Sequence, residues 1–167
     1  MFMIRLFMGF GLTFLFACAP TPPACTSGQP VAIFGIEDEL IDGQSFEVEG
    51  QESLETVRFE GGQVLLELRQ SGCEAVTQDY TFTLPHSHPA VGGGAGTTAA
   101  TLFYFLGGIG PRLAQYQAFG DAVNAKAAEL TDGREVELVP GMLIKVNQLT
   151  ANGEVIQRVV LRQVPME

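Results

Sequence analysis

The sequence predicts an α+β domain whose sheet is mainly antiparallel and carries one amphipathic helix. Two hairpin patterns support this class, with turns at Gly61-Gly62 and Asn152-Gly153. A single strong helical pattern follows Pro111 and lies between the two hairpins in sequence. Strands followed by a helix and then by more strands are typical of an antiparallel sheet covered on one face.

Two short stretches before the first hairpin have strand patterns. The apolar run at 31–36, "VAIFGI", is interpreted as a buried strand. The stretch at 45–50, "SFEVEG", alternates between polar and apolar residues and is a second candidate.

The turn chemistry predicts the register of both hairpins, because a two-residue turn decides which residues lie opposite each other. The apolar pairs created by this register all fall on one face of the sheet: Val57 with Leu66, Phe59 with Val64, Ile144 with Leu161, and Val146 with Val159. Between the hairpins, Tyr80, Phe82 and Leu84 alternate with polar residues. They indicate a half-buried strand that continues the first hairpin as a meander.

The predicted helix begins near Pro111, a residue suited to the first helical position. Small and apolar residues then recur every three or four positions and form one stripe: Leu113, Tyr116, Gly120, Val123, Ala127 and Leu130. Gly133 is a suitable residue to end this helix. The apolar stretch 97–106 fits either a short buried helix or a buried strand.

Residues 1–17, "MFMIRLFMGFGLTFLFA", have the layout of an export signal. Arg5 is their only charge, and the apolar run of twelve from Leu6 to Ala17 follows it. A membrane-spanning helix needs about twenty apolar residues, so this run is too short to span. Cleavage after Ala19 would give a plain secreted protein, but it would leave Pro20 directly after the cut, and proline fits an extended protease cleft poorly.

Cleavage before Cys18 is the alternative, and Leu15-Phe16-Ala17-Cys18 resembles the lipobox of bacterial lipoproteins. The resemblance covers only the leader. It implies a diacylglycerol on the Cys18 thiol and an acyl chain on its amine, and two or three chains anchor a protein firmly. In that family an aspartate after the cysteine commonly retains the protein at the inner membrane. Ala19 at that position implies the outer membrane, facing the periplasm.

The chain therefore divides into a signal peptide at 1–17, a lipidated proline-rich tether at 18–30 and one α+β domain at 31–167. With Cys18 lipidated, Cys25 and Cys73 remain, and an oxidising compartment favours a disulfide between them. Two separate thiols are the alternative.

The formal charge of −10 bears on the partners. It excludes nucleic-acid binding by phosphate neutralisation and makes a basic protein partner more plausible than an acidic one. An acidic surface that only maintains solubility is the competing interpretation. Apart from the lipid anchor, the sequence gives no sign of a cofactor.

The stretch "PHSHPAVGGGAG" at 85–96 contains both histidines. In an extended chain His86 and His88 would point the same way and could share a metal ion, although a solvated loop is the more economical interpretation. The glycines that follow predict a mobile loop that could bind a partner: Gly92, Gly93, Gly94 and Gly96. The stretch lacks the lysine of a phosphate-binding P-loop.

No catalytic motif is recognisable. Carboxylate pairs such as Glu47 and Glu49 share strand faces but fit a solvated surface better than a catalytic site. We therefore expect a non-catalytic, envelope-anchored lipoprotein that binds a protein partner, as an inhibitor or immunity factor or as an envelope-assembly component. A metal-binding lipoprotein using His86 and His88 and an unrecognised hydrolase are the alternatives.

Overall fold

A computed structural model describes residues 29–35, 37–72 and 76–164. Within these ranges seven strands form one antiparallel sheet, and two α-helices separate the fourth strand from the fifth in sequence. The strands are β1 Ile41–Glu49, β2 Glu52–Phe59, β3 Val64–Ser71, β4 Thr77–Pro85, β5 Glu135–Val139, β6 Met142–Ala151 and β7 Glu154–Gln163. The helices are α1 Ala95–Ile109 and α2 Gln115–Ala125, joined by a 3₁₀ turn at Pro111–Leu113. The α+β class is confirmed, but the expectation of a single helix is wrong.

The strand order across the sheet is β1-β2-β3-β4-β7-β6-β5. The first four strands form a meander, and the last three form a second one that joins it through the β4–β7 pair. All neighbouring strands run antiparallel. β1 and β5 are therefore the two edges of the sheet.

Both hairpin registers are confirmed. The four predicted pairs are present: Val57 with Leu66, Phe59 with Val64, Ile144 with Leu161, and Val146 with Val159. Asn152 and Gly153 have φ values of 54° and 81°, which is the left-handed backbone that a tight hairpin turn requires. Tyr80, Phe82 and Leu84 point into the same core from β4, as their alternation predicted.

The apolar run that begins at Val31 is not a strand in its described part. Its backbone forms no ladder, and two of its N–H groups, those of Ile33 and Phe34, instead donate to the carboxylate of Glu55 on β2 at 2.8 and 3.0 Å. Phe34 is 2% exposed. Its ring centroid lies 5.9 Å from that of Phe59. An apolar run signals burial, and here a side chain supplies the hydrogen bonds that a neighbouring strand would otherwise give.

The helical region has two α-helices where one was predicted, and the second helix is shorter than the prediction. The stretch 97–106 belongs to α1, which has seven buried residues and lies deep in the domain. Pro111 begins the 3₁₀ turn, and α2 ends at Ala125, before the predicted end at Gly133. Most residues of the predicted stripe are nevertheless buried. Leu130, the last of them, reaches the core from the turn that follows α2.

The two helices approach each other closely at glycines. A Cβ on Gly96 would lie 2.5 Å from the carbonyl oxygen of Ala127, and one on Gly120 would lie 2.5 Å from the ring of Tyr104. Gly96 therefore lies in the first turn of α1, inside a packed interface, and not in a mobile loop. Small residues let the two backbones come together, as the narrow stripe on α2 indicated.

Both helices pack on one face of the sheet, over a core rich in aromatic rings. The rings of Phe103 and Tyr116 are stacked with centroids 6.0 Å apart, and Tyr80 meets each of them edge to face. Aromatic pairs in such geometries contribute beyond the area they bury. The opposite face of the sheet has no described element packed against it, and we call it the open face.

Candidate functional site

The open face carries the alternate residues of every strand. Its residues form rows across the sheet, because register aligns partners on neighbouring strands. One row consists of Arg58, Leu65, Thr83, Ile156 and Leu149, and three of these five side chains are apolar. A second row mixes apolar and charged side chains and consists of Leu54, Arg69, Asp79, Val160 and Lys145. The open face therefore combines apolar and charged groups on a rigid support.

At one end of the open face β1 to β4 enclose a cleft of about 290 Å³, which we call the acidic cleft. Its charged lining residues are four carboxylates and one guanidinium: Glu47, Glu49, Glu52, Asp79 and Arg69. The formal sum is −3, so the cleft attracts cationic groups.

Not every carboxylate of the acidic cleft is available to a partner. Asp79 accepts two hydrogen bonds from Nε of Arg158, at 2.9 and 3.1 Å, and a third from its Nη2. The hydrogen bond to Asp79 raises the pKa of Arg158, so that guanidinium stays charged. Among the described residues, no hydrogen bond or ion pair engages the carboxylates of Glu47, Glu49 and Glu52, so these three can bind a cation.

A second cleft, of about 400 Å³, lies where α1 begins. Gly93 and Gly94 line it, and so does Gly96 from within the helix. Gly92, Gly93 and Gly94 all have left-handed or related backbone with φ between 87° and 159°, which favours glycine. Asp132 and Gln148 form part of the opposite wall. The predicted glycine loop therefore borders a cleft, but the carboxylate of Asp132 opposes anion binding there.

The two histidines lie in a turn and not in an extended segment. The N–H of His88 donates to the carbonyl of Pro85 at 2.9 Å, so the chain reverses between them. The His88 ring is occupied on both sides, since Nδ1 accepts from the N–H of Ala90 and Nε2 meets Glu60 at 3.1 Å. His86 is exposed. The extended geometry on which the shared metal site depended is therefore wrong.

The three cysteines, Cys18, Cys25 and Cys73, lie outside the described residues. The described residues nearest in sequence to Cys25 and Cys73 are Gln29 and Gly72. The side-chain amide of Gln70 donates to the carbonyl of Val31 at 3.1 Å. Residues 29–31 and 70–72 line one shallow pocket together, so the start of the described chain lies against the end of β3.

Glu55 is a buried carboxylate whose role was not predicted from the sequence. Its side chain is 0% exposed and binds the N–H groups of Ile33 and Phe34, together with the amide of Gln44. It thereby fastens the beginning of the domain to the sheet. The signal was present in β2, where Glu55 shares a face with Val57 and Phe59 in an alternating strand.

Searches of family models, curated proteins and solved structures found no match to this chain. Within the described ranges, no group of three or more histidine, cysteine or acidic side chains is placed to hold a metal ion. Neither α1 nor α2, nor any other helix in the described part, has the length and apolar composition needed to cross a bilayer.

Proposed function

We propose that this chain is a non-catalytic lipoprotein of the bacterial envelope, whose open face binds a protein partner. Cleavage after Ala17 and lipidation of Cys18 would anchor it, with the outer membrane as the site and the periplasm as the compartment. The observation that carries the binding role is the acidic cleft, because it exposes three unpaired glutamates on a rigid sheet whose other face is already covered. The partner is a protein that presents basic side chains.

The position of the cleft supports a role close to the membrane. Gln70 lines the acidic cleft and also holds the carbonyl of Val31, the first residue after the tether. Residues 29–31 and the acidic cleft therefore lie at the same end of the sheet. A lipid anchor at Cys18 would keep that end within about 45 Å of the bilayer, the reach of thirteen extended residues.

A disulfide between Cys25 and Cys73 belongs to the same proposal. Gln29 and Gly72 line one pocket together. Cys25 is four positions from Gln29 and Cys73 directly follows Gly72, which supports a bridge between them. It would shorten the free tether to about seven residues, or at most about 25 Å of chain. The cleft would then face a narrow zone above the membrane.

Site-specific photo-crosslinking in living cells tests the binding role. A photoreactive phenylalanine analogue replaces Leu54, which lines the acidic cleft, in the full-length chain in its native bacterium. We expect one discrete crosslinked product. Its yield should fall when Glu47 and Glu52 are changed to glutamine. In washed envelopes we also expect the crosslink to fade between low and high salt, since exposed charges are screened.

The matched control places the same analogue at Asn124, an exposed residue of α2 on the covered side of the sheet. We expect no discrete product there. Equal crosslinking at Asn124 and Leu54, or none at Leu54, would contradict a binding role for the open face.

A further inference from the structure

The two halves of the edge strand β1 differ in their contacts. Its beginning is held by side chains and turns, since Gln44 donates to the carbonyl of Phe34 and the Asp42 carboxylate accepts from Gly61. No other described strand pairs with the outer side of Ser45–Glu49. Within the part of the chain that the structure describes, this half, 45–49, which we call the free half, has backbone groups with no strand partner, of the kind that accept an added strand.

The two faces of the free half differ in chemistry. Glu47 and Glu49 lie on the open face at the rim of the acidic cleft, beside Glu52. Phe46 and Val48 lie on the other face, opposite the buried residues of β2, and Val48 is 44% exposed. A strand added here would meet carboxylates on one of its faces and apolar side chains on the other, because side chains alternate along it.

This arrangement selects against a second copy of the same chain. Pairing β1 with β1 would bring Glu47 and Glu49 of two molecules together, and like charges on neighbouring strands destabilise a sheet. The formal charge of −10 on each chain would add to the repulsion. A segment that alternates basic and apolar residues has neither problem.

We propose that β1 binds its partner by strand addition at 45–49, and that the partner segment alternates lysine or arginine with apolar residues. This rests on the proposed function, since it names the mode and the chemistry of binding at the same surface. The basic residues would pair with Glu47, Glu49 and Glu52. The apolar residues would cover Val48 and Phe46.

The test measures binding of a synthetic peptide, acetyl-Lys-Val-Lys-Val-Lys-Val-Lys-amide, to the detergent-extracted full-length chain. We expect saturable binding in calorimetry together with slower hydrogen–deuterium exchange at the amides of 45–49. A peptide with glutamate in place of lysine should bind about tenfold more weakly or not at all, because each exposed charge pair contributes up to about 1 kcal/mol. The lysine peptide with its central five amides N-methylated should lose binding, since it keeps its charges but cannot pair with a strand.

Variants of the protein locate the site. Glu47→Lys with Glu49→Lys should weaken binding about tenfold, whereas the control pair Glu129→Lys with Glu154→Lys, which changes the net charge equally at exposed positions elsewhere, should change it less than twofold. Val48→Ser should weaken it about fivefold, because less apolar area is buried.

Either of two results would overturn strand addition even if the lysine peptide binds. The methylated peptide could bind as well as the parent, or exchange could slow on strands other than β1. Crosslinking at Leu54 with no peptide binding would leave the proposed function standing and remove only the added strand, whereas loss of both would remove the binding role itself.

Discussion

Glu55 shows at the scale of one residue how the sheet holds the segment 31–35. A carboxylate with no exposure is costly unless its oxygens are satisfied, and here two backbone N–H groups and the Gln44 amide satisfy them. We expect Glu55→Ala to lower the free energy of unfolding by about 2–4 kcal/mol, because it leaves the buried N–H of Phe34 and the partly buried N–H of Ile33 without their partner. Urea unfolding followed by circular dichroism measures the change.

The control for Glu55 is Glu52→Ala on the same strand. Glu52 is exposed, so we expect its replacement to change stability by less than about 0.5 kcal/mol. If the two variants were equally stable, the buried carboxylate would not be the attachment described here.

The tyrosine pair in the core gives a prediction about pH. The hydroxyls of Tyr80 and Tyr116 lie 3.0 Å apart. Burial raises the pKa of Tyr116 to about 12 and raises that of Tyr80 well above its usual value. Between pH 10 and 12 the unfolded chain would lose these protons while the folded chain keeps them, so stability should fall as the pH rises, by about 1.4 kcal/mol per pH unit for each tyrosine.

The variant Tyr116→Phe isolates its share of that pH dependence. It should reduce the slope of stability between pH 10 and 12 by about 1.4 kcal/mol per unit, measured by urea unfolding at closely spaced pH values. Stability should show little tyrosine-dependent change below pH 9. An unchanged alkaline slope in the variant would contradict the burial of this hydroxyl.

At the scale of elements, the packing of α1 on α2 requires a glycine at position 120, where the two helices come into contact. Gly120→Ala should lower stability by about 1–3 kcal/mol, because its Cβ would lie 2.5 Å from the Tyr104 ring. Gly108→Ala is the matched control on α1, where nothing lies within 4 Å of the added Cβ. There alanine should stabilise by up to about 1 kcal/mol, since it favours a helix over the unfolded chain. Thermal unfolding measures the change in stability of each variant. An increase in stability for Gly120→Ala would refute the close approach.

Elements whose geometry is decided locally were predictable from the sequence. The turn at Asn152-Gly153 fixes the register of β6 and β7 without reference to the rest of the chain, and the Gly61-Gly62 turn does the same for β2 and β3. The segment 31–35 was not predictable in this way, because its partner is Glu55, more than twenty residues away. The apolar stretch 97–106 fitted two element types, since burial alone does not decide between a helix and a strand.

The candidate site was predictable only in part, for a similar reason. The acidic character of the first half of the chain and the exposure of Glu47 and Glu49 followed from composition and alternation. The cleft itself requires four strands in register, which no local pattern contains. The metal-site alternative at His86 and His88 required an extended segment, and the turn at Pro85 bends the chain there.

At the scale of the whole molecule, the junction between tether and sheet predicts a covalent link. We expect mass spectrometry of the unreduced protein to find Cys25 joined to Cys73. Loss of the bridge in Cys73→Ser should lower stability by up to about 4 kcal/mol, because the bridge closes a loop of roughly 49 residues in the unfolded chain. Two free thiols in the unreduced full-length protein would refute the bridge.

Membrane attachment through Cys18 is the claim on which the location, the partner and the orientation of the acidic cleft all depend. Its most direct test is labelling with radioactive palmitate in the native bacterium, comparing the full-length chain with Cys18→Ser. We predict that label enters the unaltered chain and is absent from the variant. No label in the unaltered chain, or equal label in both, would contradict the lipid anchor.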